Sequence, residues 1–526
     1  MNNKIRNPIL RGFNPDPCML KVGNTYYIAV SSFEWLPGVR VYESSDLINW
    51  IHKTDILTNQ VDLRGNPANC SIWAPQLSYA DEQFHLMYTN VKSTKRPFKD
   101  THNYLISSDS IEGPWSEPIY LNSSGFDPSL FHDKNGRKWL LNQLWDYRIS
   151  EGNKSSGIVI QEYDKNAKKL IGNPKKIFDC THLKKTEAPH IYVHNGYYYL
   201  IMAEGGTGPD HAVTIARSRE IKGPYEVDPN FPMLTAKGDE HSSLWCTGHM
   251  SLVTASSGEL YIAHLCTRPI IKNDKNIAIL GRETALQQVY WDDEGWLKLT
   301  NNTNKPDLEV PKPRGYEHTT QVVNNDFMDN FEEDKIDKNW NSLRIMVSDI
   351  WCNLKIRKSY ARITSGESIQ SLFDKHLIAI RQTDFNYIAK TKLDFNPNTF
   401  LQMAGMNLYY DENNYIFAYI SYEDNTKVVR LMKCDKGEAH VYEYCNAIPN
   451  DKEITFTIKG DTDKASFYYE IEDESKRYII AENEDVTFLS GGYTGNFIGI
   501  SVHDMNQLCG IYADFDYFEY KGLDEK

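Results

Sequence analysis

Three carboxylates stand in similar settings far apart in the chain. Asp16 lies in Asn14-Pro15-Asp16-Pro17, Asp127 in Gly125-Phe126-Asp127-Pro128, and Glu187 in Thr186-Glu187-Ala188-Pro189. Trp73, before Ala74-Pro75, and His249, after Gly248, hold nearly the same offset in two further segments. A lone Asp-Pro is a common turn signal and says little. Three acids brought together say more, because like charges held close spread their pKa values apart. One acid then stays ionised near neutral pH while another keeps its proton, as acid/base catalysis requires.

What must position these residues is a repeat. Five segments begin near residues 16, 74, 127, 188 and 248. Each runs from a Pro- or Gly-containing motif into an apolar strand, a polar turn and a second strand rich in aromatics. In the fourth these are Ala188-Pro189-His190-Ile191-Tyr192, Asn195-Gly196 and Tyr197 to Met202. Asn-Gly between two such strands predicts a hairpin. More strand-like sequence follows in each repeat, so about four strands fill each unit, the pattern of a β-propeller blade. The starts of the first strands in a propeller converge at one mouth of its central channel, which would gather Asp16, Trp73, Asp127, Glu187 and His249. The chain is expected to be all-β, with a five-bladed propeller over residues 1–305. A Pro-stiffened linker follows over 306–325. Residues 326–526 alternate in strand fashion without that period, which predicts a two-sheet, jelly-roll, lectin-like β-sandwich.

Bulk properties narrow the function. Hydrophobic residues make up 40% and charged residues 24% of the 526, so large cores can form. Aromatics, at 12%, suit both pleated surfaces and the C–H faces of a sugar ring. The net charge of −14 comes without a basic stripe, which argues against nucleic acid. No apolar stretch is long enough to span a membrane, and the N-terminus has no apolar leader. Nine Cys, without a zinc-type pair, read as reduced thiols; Cys246, Cys266 and Cys352 lie within apolar strands. A cytoplasmic location is the expectation.

Hydrolysis of a glycosidic bond needs two carboxyl groups flanking it. Together Asn14-Pro15-Asp16-Pro17, Ser31 to Gly38, Ile72-Trp73-Ala74-Pro75, Gly125 to Ser129, Thr186 to His190, Ala203-Glu204-Gly205-Gly206-Thr207 and Leu280-Gly281-Arg282-Glu283-Thr284 closely resemble glycoside hydrolase family 43, in its β-xylosidase branch, over nearly the whole chain. The resemblance implies release of xylose from the ends of β-1,4-xylo-oligosaccharides, with inversion. It implies Asp16 as general base, Glu187 as general acid and Asp127 as the residue that raises and orients the acid. It also implies Arg282 in the terminal subsite, Thr207 among the substrate-binding residues, and Phe33, Trp73 and Trp145 lining the pocket. His249 would lie deep in the channel beside water or a Ca2+ ion. With no acidic loop present, water would have to supply most oxygen ligands of such an ion, so no metal is required. A loop of the sandwich would close the pocket with Tyr493, where the family carries Phe. Relatives of this kind are often dimers or tetramers, so a homo-oligomer is expected. An α-L-arabinofuranosidase is the nearest alternative, since xylopyranose and arabinofuranose present similar hydroxyls. An invertase-like enzyme would start with Asn-Asp-Pro-Asn, which is missing. A non-catalytic sugar-binding propeller has no need of three ring carboxylates.

Overall fold

The structure, a computed structural model, describes residues 3–239, 242–323, 325–443, 446–506 and 510–524. Among them every regular element is a β-strand. Five antiparallel sheets follow one another up to Leu299, each built on four successive main strands. The first has Cys18–Val22, Thr25–Ala29, Gly38–Ser44 and Ile51–Leu57; the fourth has Glu187–His194, Tyr197–Glu204, Ala212–Ser218 and Glu226–Val227. Asn195 and Gly196, at φ 48° and 74°, form the turn of the fourth blade. Positive φ at both turn residues matches the right-handed twist of the flanking strands. Segments of the five innermost strands, among them Met19, Leu77, Leu130, Ile191 and Leu252, line one cavity of about 520 Å3. The blades thus surround a common channel, as a five-bladed propeller requires.

The ends of the ring are tied by short-range polar contacts. Ile9 and Leu10 donate backbone hydrogen bonds to Thr284 O, and Asn14 N donates to Arg282 O. Ser251 Oγ accepts from Met19 N and donates to Pro17 O. Beyond the propeller, Glu309–Pro311 pairs antiparallel with Lys4–Arg6. The second domain is a sandwich of two sheets. One contains Tyr387–Phe395, whose residues alternate strictly between buried and half-buried, as a strand with one face on a core must. Leu393, Phe395, Met406, Leu408, Phe456, Ile498 and Phe515 fill the space between the sheets.

The two domains are not separable beads. Trp35–Leu36, from the first propeller blade's sequence, pairs with Asn341–Leu343 as the edge strand of a sandwich sheet. Trp35 is fully buried and stacks on Phe497 of the sandwich at 3.7 Å between ring centroids. Phe13, Phe33, Trp73 and Phe126 of the propeller share one apolar cluster with Leu343, Tyr409 and Phe497 of the sandwich. Each large side chain so buried contributes about 1.5–3 kcal/mol, so the sandwich is part of the propeller's stability. All seven cysteines among the described residues are free, and Cys246 is only half-buried.

Candidate active site

The innermost strands deliver their first residues to one pocket of about 240 Å3. Its walls include Asp16, Phe33, Trp73, Asp127, Glu187, Thr207, His249, Arg282 and Tyr493. The backbone that presents them is unusual at a recurring place. Asp16, Asp127 and His249 have φ of 55°, 52° and 52°, and Ala188, next to Glu187, has 50°. Non-glycine residues in this left-handed region cost about 1–2 kcal/mol each. Strain of this kind gathers where a side chain must be aimed, and here it recurs at the channel mouth in four of the blades.

Asp16 is buried and heavily bonded. It accepts Ser31 Oγ at 2.6 Å, Arg282 Nη1 at 2.8 Å and Arg282 Nη2 at 3.2 Å. Burial alone would push its carboxyl up, but Arg282, His249 and the Ser31 hydroxyl together outweigh burial and hold it below the usual range. The other two acids go the opposite way. Burial, then Glu187 and Asp16, drive Asp127 well above the usual carboxylate range. Burial, helped by Asp16 and opposed by Lys99 and Arg282, raises Glu187 to about 7. One mouth of the channel therefore holds an anion and a pair of carboxyls that retains a proton near neutral pH.

Glu187 is fixed from behind. Fully buried Glu204 accepts hydroxyl hydrogen bonds from Thr181, Thr186 and Thr214 at 2.6, 2.5 and 2.7 Å. Thr186 O in turn accepts Ser155 Oγ at 2.9 Å. The residue before Glu187 is thus held through both its side chain and its carbonyl.

Arg282 links the domains at the site. Besides Asp16 it donates Nε to Tyr493 O at 3.0 Å, so three of its five N–H groups have protein partners and two remain for a ligand. Its acidic sequence neighbour Glu283 pairs with Arg268 instead. Tyr493 reaches Arg282 because two backbones approach closely: a Cβ on Gly281 would lie 2.6 Å from Gly495 Cα. The Tyr493 amide donates to Asn69 Oδ1, and its ring lies 6.0 Å from Phe33 and 5.8 Å from Trp73. Phe33, Trp73 and Tyr493 form an aromatic cluster in the pocket's lining.

One expectation needs correction, and one lining residue was missed. Trp145 is not among the lining residues; it stands behind Phe126, 6.4 Å away between centroids, and its indole donates to Pro97 O. An aromatic at a strand end can turn to either side, and this one backs the pocket. Second, sequence reasoning passed over Lys99, which does line the pocket. Its Nζ lies 4.9, 4.4 and 4.3 Å from the ring centroids of Trp73, Phe126 and Trp145. Rings of this kind attract a cation, and Lys99 acts on both Asp127 and Glu187 by its charge. The basic run Lys92, Lys95, Arg96 and Lys99 in an acidic chain was the available signal.

His249 is buried, with Nδ1 3.8 Å from Asp16 Oδ1. Burial lowers its pKa, opposed by that carboxylate. Among the described residues no three or more His, Cys, Asp or Glu side chains converge to hold a metal ion. Asp16 is committed to Arg282 and Ser31.

Comparison with known proteins agrees with this arrangement. Residues 5–297 match the glycosyl hydrolases family 43, and residues 328–521 match the β-xylosidase C-terminal concanavalin A-like domain. The chain is 42% identical to xylosidase/arabinosidase 43B of Humicola insolens, over 98% of each chain. It is 41% identical to a β-xylosidase of Bacillus subtilis, over 98% of this chain and 99% of the other. The crystal structure of a xylan β-1,4-xylosidase from Bacillus halodurans superposes with a TM-score of 0.95 at 41% identity, covering 98% of this chain and all of that one. With both domains matched end to end, and acids of opposite protonation at one propeller mouth, the chain belongs to glycosyl hydrolase family 43 and is a glycosidase.

Proposed function

We propose that this glycosidase removes xylose from the non-reducing ends of β-1,4-xylo-oligosaccharides, with inversion, and also accepts α-L-arabinofuranosides. The observation that carries the reading is the opposed protonation of Asp16 and the Asp127–Glu187 pair within one pocket. Glu187 gives its proton to the glycosidic oxygen as the bond from that oxygen to the anomeric carbon breaks. Asp16 takes a proton from a water that attacks the anomeric carbon from the other face. The cycle leaves Asp16 protonated and Glu187 ionised, and solvent restores both. Asp127 shares the buried environment and the proton of Glu187 and keeps the acid form populated near pH 7. Inversion rests on membership of the family. Exo action is supported by the pocket's size and by Tyr493, which caps it from the sandwich. Two N–H groups of Arg282, with Thr207, are available for sugar hydroxyls, and Trp73 and Phe33 for the ring's C–H face.

The arabinofuranoside activity is favoured by a specific observation: the 42%-identical relative carries both activities in its name. Aryl xylosides test the division of roles. Glu187→Gln should lose about 10²–10⁴-fold on xylobiose and far less on a xyloside whose leaving group needs no proton. Asp16→Asn should lose heavily on both. Equal losses of Glu187→Gln on the two substrates would remove Glu187 from the acid role.

A further inference from the structure

The carboxylate pocket carries positive charge that the catalytic roles do not use. Four basic side chains line it, Arg96, Lys99, Lys185 and Arg282, against three carboxyls. The Asp127–Glu187 pair retains a proton, so the pocket is net positive within a chain of net charge −14. Arg282 is paired with Asp16, and Lys99 lies over three aromatic rings. Arg96 and Lys185 are exposed, and among the described residues neither has a carboxylate oxygen within 4.0 Å.

The fold places Lys185 at a cost. Lys184 and Lys185 have φ of 61° and 56°, two successive non-glycine residues in the left-handed region. Lys185 Nζ donates to Gly205 O at 3.2 Å, which leaves two of its three N–H donors for a ligand. Its side chain lies across Gly206, where a Cβ would stand 2.7 Å from Lys185 Cδ. A larger residue at 206 would displace the lysine, so Gly205-Gly206 serves to lay this ammonium along the pocket.

Under the function proposed above, the terminal xylose meets Asp16 and Arg282, and the bond to be cut lies against Glu187. Lys185 is two residues from Glu187 and acts on it by its charge. Arg96 acts in the same way on Lys99, which in turn acts on Glu187. Exposed cations beside the acid that protonates the leaving oxygen stand on the side of the sugar that leaves. The hydroxyls of a neutral xylose need no such charge, whereas a guanidinium matches a carboxylate with two parallel donors. We propose that Arg96 and Lys185 form a leaving-group subsite for a carboxylate, which makes the enzyme prefer xylo-oligosaccharides that bear a uronic acid on the sugar beyond the cleaved bond.

Two substrates test this: xylobiose with a uronic acid on its reducing-end xylose, and the same oligosaccharide with the carboxyl reduced to an alcohol. The wild-type kcat/KM should favour the acidic one about three- to tenfold at low ionic strength, and less in about 0.5 M salt. Arg96→Gln and Lys185→Gln should each lower that ratio, and the double variant should bring it to about one. If one variant does not fold, by circular dichroism, the other carries the test. Equal rates on the two substrates in the wild type, or a preference that the double variant keeps, would overturn the proposal. Cleavage of plain xylobiose tests the underlying xylosidase reading separately. If xylobiose is not cut, calorimetric binding of the two oligosaccharides supplies the ratio, with the same outcomes deciding.

Discussion

Ser31→Ala isolates the claim that Asp16 is held ionised by its neighbours. Ser31 is fully buried, does not line the pocket, and bonds Asp16 Oδ2 at 2.6 Å. A hydrogen bond to a charged group contributes about 1.5–3 kcal/mol, equivalent to about 1–2 pKa units. That range is an upper bound, because a hydroxyl can also accept from the protonated acid, and both Arg282 bonds survive the substitution. The sign follows from the direction of the shift. Asp16 is depressed in the folded protein, and activity needs its ionised form, so its folded pKa sets the acidic limb of the pH profile. Removing Ser31 raises that pKa and moves the acidic limb of kcat/KM up by about 0.5–2 units. The alkaline limb stays in place. Stability moves the same way: the ionised carboxylate stabilises the fold above its unfolded pKa, and that contribution is lost at higher pH in the variant as pH falls. The assay is kcat/KM on xylobiose across pH, with wild type and variant in the same buffers. An unchanged acidic limb, or a shift of the alkaline limb alone, would refute the reasoning.

Further substitutions act on the proton-holding pair. Lys99→Met removes a cation that opposes protonation of Glu187 and should move the alkaline limb to higher pH, so an unchanged or lowered limb would contradict the electrostatic assignment. Glu187 has a raised folded pKa, so its contribution is fully present below its unfolded value and is lost as pH rises through about 7. Glu187→Gln, which stays neutral, should accordingly raise Tm by a few degrees at pH 8 and little at pH 5, measured by calorimetry. Tyr493→Ala should raise KM by about tenfold with a smaller effect on kcat, while Tyr493→Phe, which keeps the ring, stays within about twofold; steady-state kinetics on xylobiose decides.

Much of this architecture is legible in the sequence because a propeller repeats its punctuation. Asn195-Gly196 and its counterparts mark hairpins, and the motif before each first strand marks the channel mouth, so Asp16, Asp127, Glu187 and His249 could be grouped before any coordinates. Contacts that depend on distant chain segments were not legible. Arg282 and Asp16 are 266 residues apart, and nothing local to Leu280-Gly281-Arg282 says that its first partner is an acid of the first blade. Trp35–Leu36 is too short for a periodic signal, and its role as a sandwich edge strand is set by Asn341–Leu343. Trp145 shows the limit of reasoning from residue type: an aromatic suited to a sugar face instead supports Phe126 and Lys99. Glu204 was visible as a motif residue, but its work, three threonine hydroxyls gathered behind Glu187, needs the loop that precedes Glu187–His194 and the strand Ala212–Ser218 brought against Tyr197–Glu204.

The central claim is that Asp16 activates water while Glu187 protonates the leaving oxygen, so that no bond forms between sugar and protein. Proton NMR of xylobiose hydrolysis from the earliest time points tests it most directly, because the anomeric signals report the configuration of the first product before mutarotation. The account predicts that α-xylose appears first. β-Xylose appearing first would mean retention, and one of these carboxylates would then be a nucleophile.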